Sequence, residues 1–250
     1  CFMNPNNDRN SHYFGREMLW CGRPRSALKE LKRHMSIGNW PAENCQSLMF
    51  IGDAHIAMGE IKEAMAAYHE AITIDAARRE PWLRLATHYY KAKDPQRAAC
   101  YAAAALEIDG NNFYANDQAN YTHYPYEVSY WAEWYLGRKE KSREAFMRVL
   151  EYQPLNSRYL HDARFYFELP LVSVLLPTLG RDNGLQRCLD SIKALNYPGE
   201  LIETLVIHDD PRLGVPARIH EGVTQSHGSY IAYAANDMEF TPDSLILGVL

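Results

Sequence analysis

The chain has 250 residues, 47% of them hydrophobic and 23% charged, with a formal net charge of -5 at pH 7. Those values fit two globular domains of ordinary size and exclude wholesale disorder; the acidic balance and the lack of any Lys/Arg-rich run argue against a nucleic-acid partner. No apolar stretch reaches the roughly 18 residues of a transmembrane segment, and residues 1–20 hold Asn, Asp and Arg where a signal peptide needs an apolar core.

The five cysteines (Cys1, Cys21, Cys45, Cys100, Cys188) are odd in number, widely spaced and free of any CxxC pair. They predict neither a disulfide framework nor a zinc site, but free thiols in a reducing, cytoplasmic setting. Position 1 is Cys, and Ser244 to Leu250 runs as an apolar segment to the last residue. Both ends lead us to expect a piece of a longer chain.

The first two thirds repeat. Ala64 and Ala98 stand 34 residues apart, as do Ala71 and Ala105, while Gly15, Gly22 and Ala27 precede Gly52, Gly59 and Ala64 by 37. Gly137, Ser142, Phe146 and Pro154 continue the pattern after a longer interruption. In the best-matched units, Gly52, Gly59, Ala64, Tyr68 and Ala71, then Trp82, Leu85, Tyr89, Ala98 and Ala105, the small residues allow two antiparallel helices to approach while the aromatics fill the space beside them. This pattern resembles the tetratricopeptide repeat and implies an α-helical tetratricopeptide-type solenoid over residues 1–168, with its repeats across about 10–168. The interruption from Asn111 to Tyr126 is rich in Asn and Tyr and is followed by Tyr130, Trp131, Trp134 and Tyr135. Rings at helical spacing are expected to pack between helices, although the same residues could form a peptide- or glycan-binding face. Repeat arrays of this kind present a concave surface to a partner.

From Leu169-Pro170 onward the pattern becomes strand, turn, helix. Leu171 to Leu176 reads as a buried strand closed by Pro177-Thr178, Leu185 to Leu195 as an amphipathic helix, and Leu201 to Ile207 as a second strand running into His208-Asp209-Asp210-Pro211. Pro216 to Gln225 reads as a second helix and Ser229 to Ala235 as a third, buried strand emptying into Asn236-Asp237-Met238-Glu239. Alternation of this kind predicts a parallel sheet with helices on its faces, and it places the three polar clusters on one edge, where open α/β sheets bind ligands. Asp237 and Glu239, one residue apart, are hard oxygen ligands suited to a divalent cation held together with phosphates. His208 and His220 lack a metal-ligand pattern and are read as structural. No G-x-G-x-x-G follows the first strand, so a nicotinamide-binding fold is disfavoured.

The ordered set of Val172 to Thr178 with Arg181, Cys188 to Ile192, Leu205 to Asp210, Gly214-x-Pro216 with Gly222, and Gly228-x-Tyr230-Ile231 leading to Asn236–Glu239 and Pro242-Asp243 resembles the amino-terminal half of a family 2 glycosyltransferase. The resemblance implies a partial, Rossmann-like GT-A domain over residues 169–250. It implies that Pro177, Thr178, Arg181, Asp209, Asp210 and Asn236 contact a nucleoside diphosphate sugar, and that Asp237 and Glu239 hold Mn²⁺ or Mg²⁺ against its diphosphate. Two positions depart from the family: Ala235 stands where its metal motif often has a first Asp, and Ile219-His220 where it commonly has Arg-Asn. The family's general base lies beyond residue 250, so no catalytic residue is assigned and this chain alone is expected to be inactive. On this reading the repeats present a protein or glycan acceptor to a glycosyltransferase. The alternative is a tetratricopeptide interaction scaffold with a degenerate nucleotide-binding module.

Overall fold

A computed structural model describes residues 7–109, 117–178, 184–208, 214–235 and 237–249. The chain divides into two compact units, Cys1–Tyr152 and Gln153–Leu250.

The described residues of the first unit form four antiparallel helical hairpins: α1 (Asp8–Trp20) with α2 (Pro24–Ile37), α3 (Pro41–Ala57) with α4 (Ile61–Ile74), α5 (Arg79–Lys91) with α6 (Pro95–Leu106), and α7 (Tyr124–Tyr135) with α8 (Lys139–Tyr152). Each hairpin also packs against the next, through α2 on α3, α4 on α5 and α6 on α7. The boundaries follow from local chemistry. Pro24, Pro41 and Pro95 open their helices, where the missing N–H costs nothing and the fixed φ already suits the helix. Each first helix then ends in a residue of positive φ: Gly22 (70°), Gly59 (77°), Lys93 (59°) and Gly137 (72°).

Lys93 is the exception, because a Cβ strains the left-handed conformation by about 1 kcal/mol. Lys93→Gly is therefore expected to stabilise the repeat unit by up to about 1 kcal/mol, less what the more flexible unfolded chain takes back. A urea midpoint no higher than that of the parent would show that Lys93 is held in that conformation without strain.

Across each hairpin one position on the first helix meets one on the second, sixteen residues later. Gly15 faces Leu31, Gly52 faces Tyr68, Ala86 and Ala102 share one apolar cluster, and Tyr130 meets Phe146 edge-on at 5.3 Å between ring centroids. The sizes compensate: a Cβ on Gly15 would stand 2.6 Å from Leu31 Cγ, and one on Gly52 only 2.3 Å from Tyr68 Cε1. Ala27, Ala64, Ala98 and Ser142 occupy another repeated position, all fully buried. Ser142 fits there because its hydroxyl donates to the Tyr130 carbonyl at 2.7 Å.

The second unit opens with α9 (Ser157–Ala163) and holds three parallel strands, β1 (Val172–Thr178), β2 (Ile202–His208) and β3 (Tyr230–Tyr233), in the order β2-β1-β3. Val172 pairs with Ile202 on one side and with Tyr230 on the other. Helices α10 (Gly184–Lys193) and α11 (Gly214–Gln225) connect the strands, and α12 (Ser244–Val249) follows. Gly222 lets α11 settle on the sheet, since a Cβ there would reach 2.3 Å from Ile207 Cδ1.

Only β1, in the middle, is buried along its whole length. The reading of β3 as a buried strand is corrected: Tyr230, Ile231 and Tyr233 are 45–49% exposed. Among the described residues β3 is an edge strand, paired on one side only. His208, at the end of β2, and His220, on α11, are exposed.

Glu203 ties the sheet together. It accepts from the Ser173 hydroxyl at 2.5 Å, from the His227 backbone N–H at 2.8 Å, and pairs with His227 Nδ1 at 2.7 Å. The His227 N–H, followed by the Ser173 hydroxyl and the His227 ring, holds the Glu203 carboxyl down at about 2, against an ordinary 4.5. A depressed carboxylate stabilises the fold above its unfolded value and ceases to do so as pH falls through its folded one. The α/β unit is thus expected to lose this contribution between about pH 4.5 and pH 2. Glu203→Gln should flatten that acid limb in a pH series of thermal melts; an unchanged limb would mean that other carboxyls carry it.

Candidate functional site

Two places gather polar side chains. The first lies within the repeat unit, on a groove of about 410 Å³ lined mainly by the first helices of successive hairpins, α3, α5 and α7. At its centre Arg84 makes a forked contact with Asp53: Nε donates to Oδ1 at 2.9 Å and Nη2 to Oδ2 at 3.0 Å. Tyr68, reaching up from α4, donates to the same Asp53 Oδ1 at 2.7 Å. Burial alone would weaken the hold of Arg84 on its proton, but the Asp53 carboxylate outweighs it and raises the affinity. Burial and the neighbouring Asp53 push the Tyr68 hydroxyl far up as well.

The end of the Asn111–Tyr126 interruption forms one wall of this groove. A short 3₁₀ turn, Gln118–Tyr121, is tied to the start of α5: Arg79 N–H donates to the Tyr121 hydroxyl, which donates to buried Glu80 at 3.0 Å. Burial, with Glu80 beside it, pushes the Tyr121 hydroxyl up to about 12. Asn120 and Tyr124 line the groove, and the Tyr124 hydroxyl shares a 2.7 Å hydrogen bond with Thr87. Residues 111–116 lie outside the described residues. The aromatics therefore divide: Tyr130 packs in the core against Phe146 and Trp131, whereas Tyr124 faces the groove and Tyr135 is exposed.

The sequence reading passed over Asp53, Glu80 and Arg84. A signal was present, since Arg84 stands one helical turn before Thr87, the counterpart of Asp53 at the 34-residue spacing. Opposite charges so placed on successive first helices meet across a solenoid.

The second place is the carboxyl edge of the sheet. From β1 the chain passes to β2 on one side and then to β3 on the other, so the strand order reverses beside β1. Pro177 and Thr178 end β1 and are buried, Thr178 in register with His208. Asp237 and Glu239 follow β3 and are exposed; Glu239 lies 3.8 Å from Arg187 of α10. The Cys188 thiol is raised by burial and then by the nearby Asp237. Arg181, Asp209, Asp210 and Asn236 fall outside the described residues, so their places at this edge rest on the sequence.

The segment carrying the two acids is anchored on α10 and on the turn that follows it. Phe240 N–H donates to Ser191 Oγ at 3.0 Å, and Asn196 Nδ2 donates to Asp243 at 2.7 Å. Among the described residues no third His, Cys, Asp or Glu ligand atom joins Asp237 and Glu239 closely enough to complete a protein-only site.

The family model for the tetratricopeptide repeat matches residues 46–78, which hold most of α3 and all of α4. The chain carries a tetratricopeptide repeat. Solved structures agree with that fold. The chain is similar to MamA 41-end from Desulfovibrio magneticus RS-1 (18% identity, TM-score 0.51, covering 64% of this chain and 82% of that one). It is similar to the kinesin light chain nearly identical TPR-like repeats of Podosopora anserina (18%, TM-score 0.50, 65% and 86%). YrrB, described as a TPR protein with an unusual peptide-binding site, matches at 15% identity and TM-score 0.50 over 65% of this chain and 77% of that one. At such identities the likeness concerns the fold alone. No curated protein matches the sequence. No helix among the described residues is long and apolar enough to cross a membrane.

Proposed function

We propose that this chain is an interaction protein whose repeat unit takes an extended peptide segment of a partner protein along the Asp53–Arg84 groove. The supporting observation is the groove itself: successive first helices supply acid, base and hydroxyl groups to it, and the 3₁₀ turn supplies the amide of Asn120. Asp53 and Arg84 neutralise each other, while Lys91, Asn120 and the Thr87–Tyr124 pair offer donors and acceptors that suit a peptide backbone. The peptide-binding description of YrrB, a protein of the same fold, is in keeping with this reading. The test is to select peptides on the intact chain by display and to titrate the best one calorimetrically. Arg84→Glu, which sets two carboxylates against each other in the groove, should weaken binding at least tenfold, about 1.4 kcal/mol. Equal affinity in Arg84→Glu would move the binding surface elsewhere.

A second reading concerns the other unit. We infer from the β2-β1-β3 order and the exposed Asp237 and Glu239 beyond β3 that its carboxyl edge is the donor half-site of a glycosyltransferase, binding a nucleoside diphosphate sugar with Mn²⁺ or Mg²⁺. Pro177 and Thr178 would border the nucleotide, with Arg181, Asp209, Asp210 and Asn236 placed there by the sequence motifs. Bound metal would supply charge neutralisation at the diphosphate. Titration with a panel of nucleoside diphosphates, with and without Mn²⁺, tests it. Metal-dependent binding lost in Asp237→Ala supports the half-site; no metal-dependent binding leaves the chain an interaction scaffold.

A further inference from the structure

The first hairpin shares with α3 a buried polar chain that neither reading uses. His12 on α1, His34 on α2 and Ser47 on α3 are all fully buried, and Glu43 on α3 is 1% exposed. The Ser47 hydroxyl touches both rings, His12 Nδ1 at 2.7 Å and His34 Nδ1 at 2.9 Å. His12 Nε2 lies 3.1 Å from the Gln46 side-chain carbonyl oxygen.

These contacts fix the protons. The Gln46 oxygen only accepts, so His12 Nε2 carries a hydrogen. With its one hydrogen at Nε2, the neutral His12 ring has Nδ1 as an acceptor. Ser47 has one hydrogen and must give it to His12. His34 Nδ1 therefore carries a hydrogen and donates it to Ser47, which leaves His34 Nε2 as the open atom.

That atom is buried and has no hydrogen-bond partner among the described residues. It faces Glu43 Oε2 at 3.4 Å. An imidazolium paired with a buried carboxylate closes to about 2.7–2.9 Å, and elsewhere in this chain the His55–Glu60 and His227–Glu203 contacts are 2.6 and 2.7 Å. A separation of 3.4 Å is instead close to the edge of a tetrahedron around Zn²⁺, about 3.3 Å for ligand bonds near 2.0 Å. One carboxylate oxygen of Asp8, at the start of α1, lies within 4.8 Å of a ring nitrogen of His34 and of a carboxylate oxygen of Glu43.

We infer that His34 Nε2, Glu43 and Asp8 form a divalent-cation site, of the zinc class, that clasps α1, α2 and α3. A ligating histidine donates its other ring N–H to a fixed acceptor, and Ser47 is that acceptor here. Two carboxylates and one neutral imidazole match the hard-to-borderline donors that Zn²⁺ takes. Two other groups stand close by. Arg9 Nε lies 3.8 Å from Glu43 Oε1 on a side chain that is 59% exposed, and it offsets part of the negative charge. Asn44 Oδ1 is buried without a hydrogen-bond partner among the described residues, and both it and His34 Nε2 lie 2.8 Å from where a Cβ on Gly38 would stand. Asn44 Oδ1 is thus a further oxygen close to His34 Nε2.

The test uses the whole chain, freed of any purification tag and stripped with a chelator, titrated with Zn²⁺ and with Co²⁺. One equivalent should bind, raising the melting temperature of the repeat unit, and Co²⁺ should give the visible absorption of a tetrahedral site. Asp8→Asn, at the outer end of α1, should leave the circular dichroism unchanged and weaken binding at least about tenfold. Ser47→Ala, which frees the His34 ring to turn, should cost about ten- to hundredfold in affinity. No stoichiometric uptake by the folded chain, or uptake undiminished by both Asp8→Asn and Glu43→Gln, would overturn the site. So would ¹⁵N spectra of the zinc-treated chain showing both His34 ring nitrogens protonated at pH 7, which would make the contact an ion pair with Glu43.

Discussion

Gly52→Ala should destabilise the repeat unit by about 2–3 kcal/mol, although alanine is the better helix former by about 1 kcal/mol. The added methyl would stand 2.3 Å from Tyr68 Cε1. That ring cannot swing aside cheaply, being 3% exposed and held through its hydroxyl to Asp53 at 2.7 Å. Asp53 is in turn held by Arg84, so relief at Gly52 has to be drawn from the groove above it. The next hairpin solves the same position with Ala86 against Ala102. Tyr68→Ala alone should cost about 3–5 kcal/mol through the space it leaves. In that background Gly52→Ala should change sign and stabilise by about 1 kcal/mol, as helix propensity is no longer opposed. Urea unfolding of the four proteins in the cycle measures the coupling. A Gly52→Ala chain as stable as the parent would show that the glycine is not what seats Tyr68, and would undo the size-compensation account of the hairpins.

How legible was this in the sequence? The repeat register was, because small residues recur at fixed spacing where the helices pack together: Gly15 and Gly52 at one position, Ala27, Ala64 and Ala98 at another. The parallel alternation of β1, α10, β2, α11 and β3 was legible for a similar reason, since apolar runs broken by turn residues admit few arrangements. The exposure of β3 was not. Tyr230, Ile231 and Tyr233 look like core in a composition count, and only the strand order makes them an edge. The groove escaped because Asp53, Glu80 and Arg84 read singly as solvated charges; they become a site when solenoid stacking brings α3 and α5 side by side. The His12–Ser47–His34 chain escaped more completely, since three helices must converge before any of those contacts exists.

Gly228→Ala should detach β3 and cost the α/β unit about 2–4 kcal/mol. A Cβ on Gly228 would stand 2.5 Å from the Ser173 backbone nitrogen, 2.6 Å from Ser173 Oγ and 2.8 Å from the Tyr230 carbonyl oxygen. Two of these are main-chain atoms of paired strands, so the strain has no side chain to relax into. The cheaper relaxation is to part β3 from β1, because β3 has four residues and is paired on one side only. Hydrogen exchange should then speed up at Ala234, whose amide bonds the Leu175 carbonyl at 3.1 Å, while helix signals from the hairpins stay as they were. The segment beyond β3 remains pinned through Ser191 of α10 and Asn196 of the turn after it, so Asp237 would be dragged between a loose end and a fixed one. If the carboxyl edge binds a nucleoside diphosphate through metal, Gly228→Ala should lose that binding together with stability, whereas Asp237→Ala should lose it at unchanged stability. Loss of stability with metal-dependent binding retained would mean that the acids act without the sheet to place them, and the strand-order argument for the half-site would fall with it.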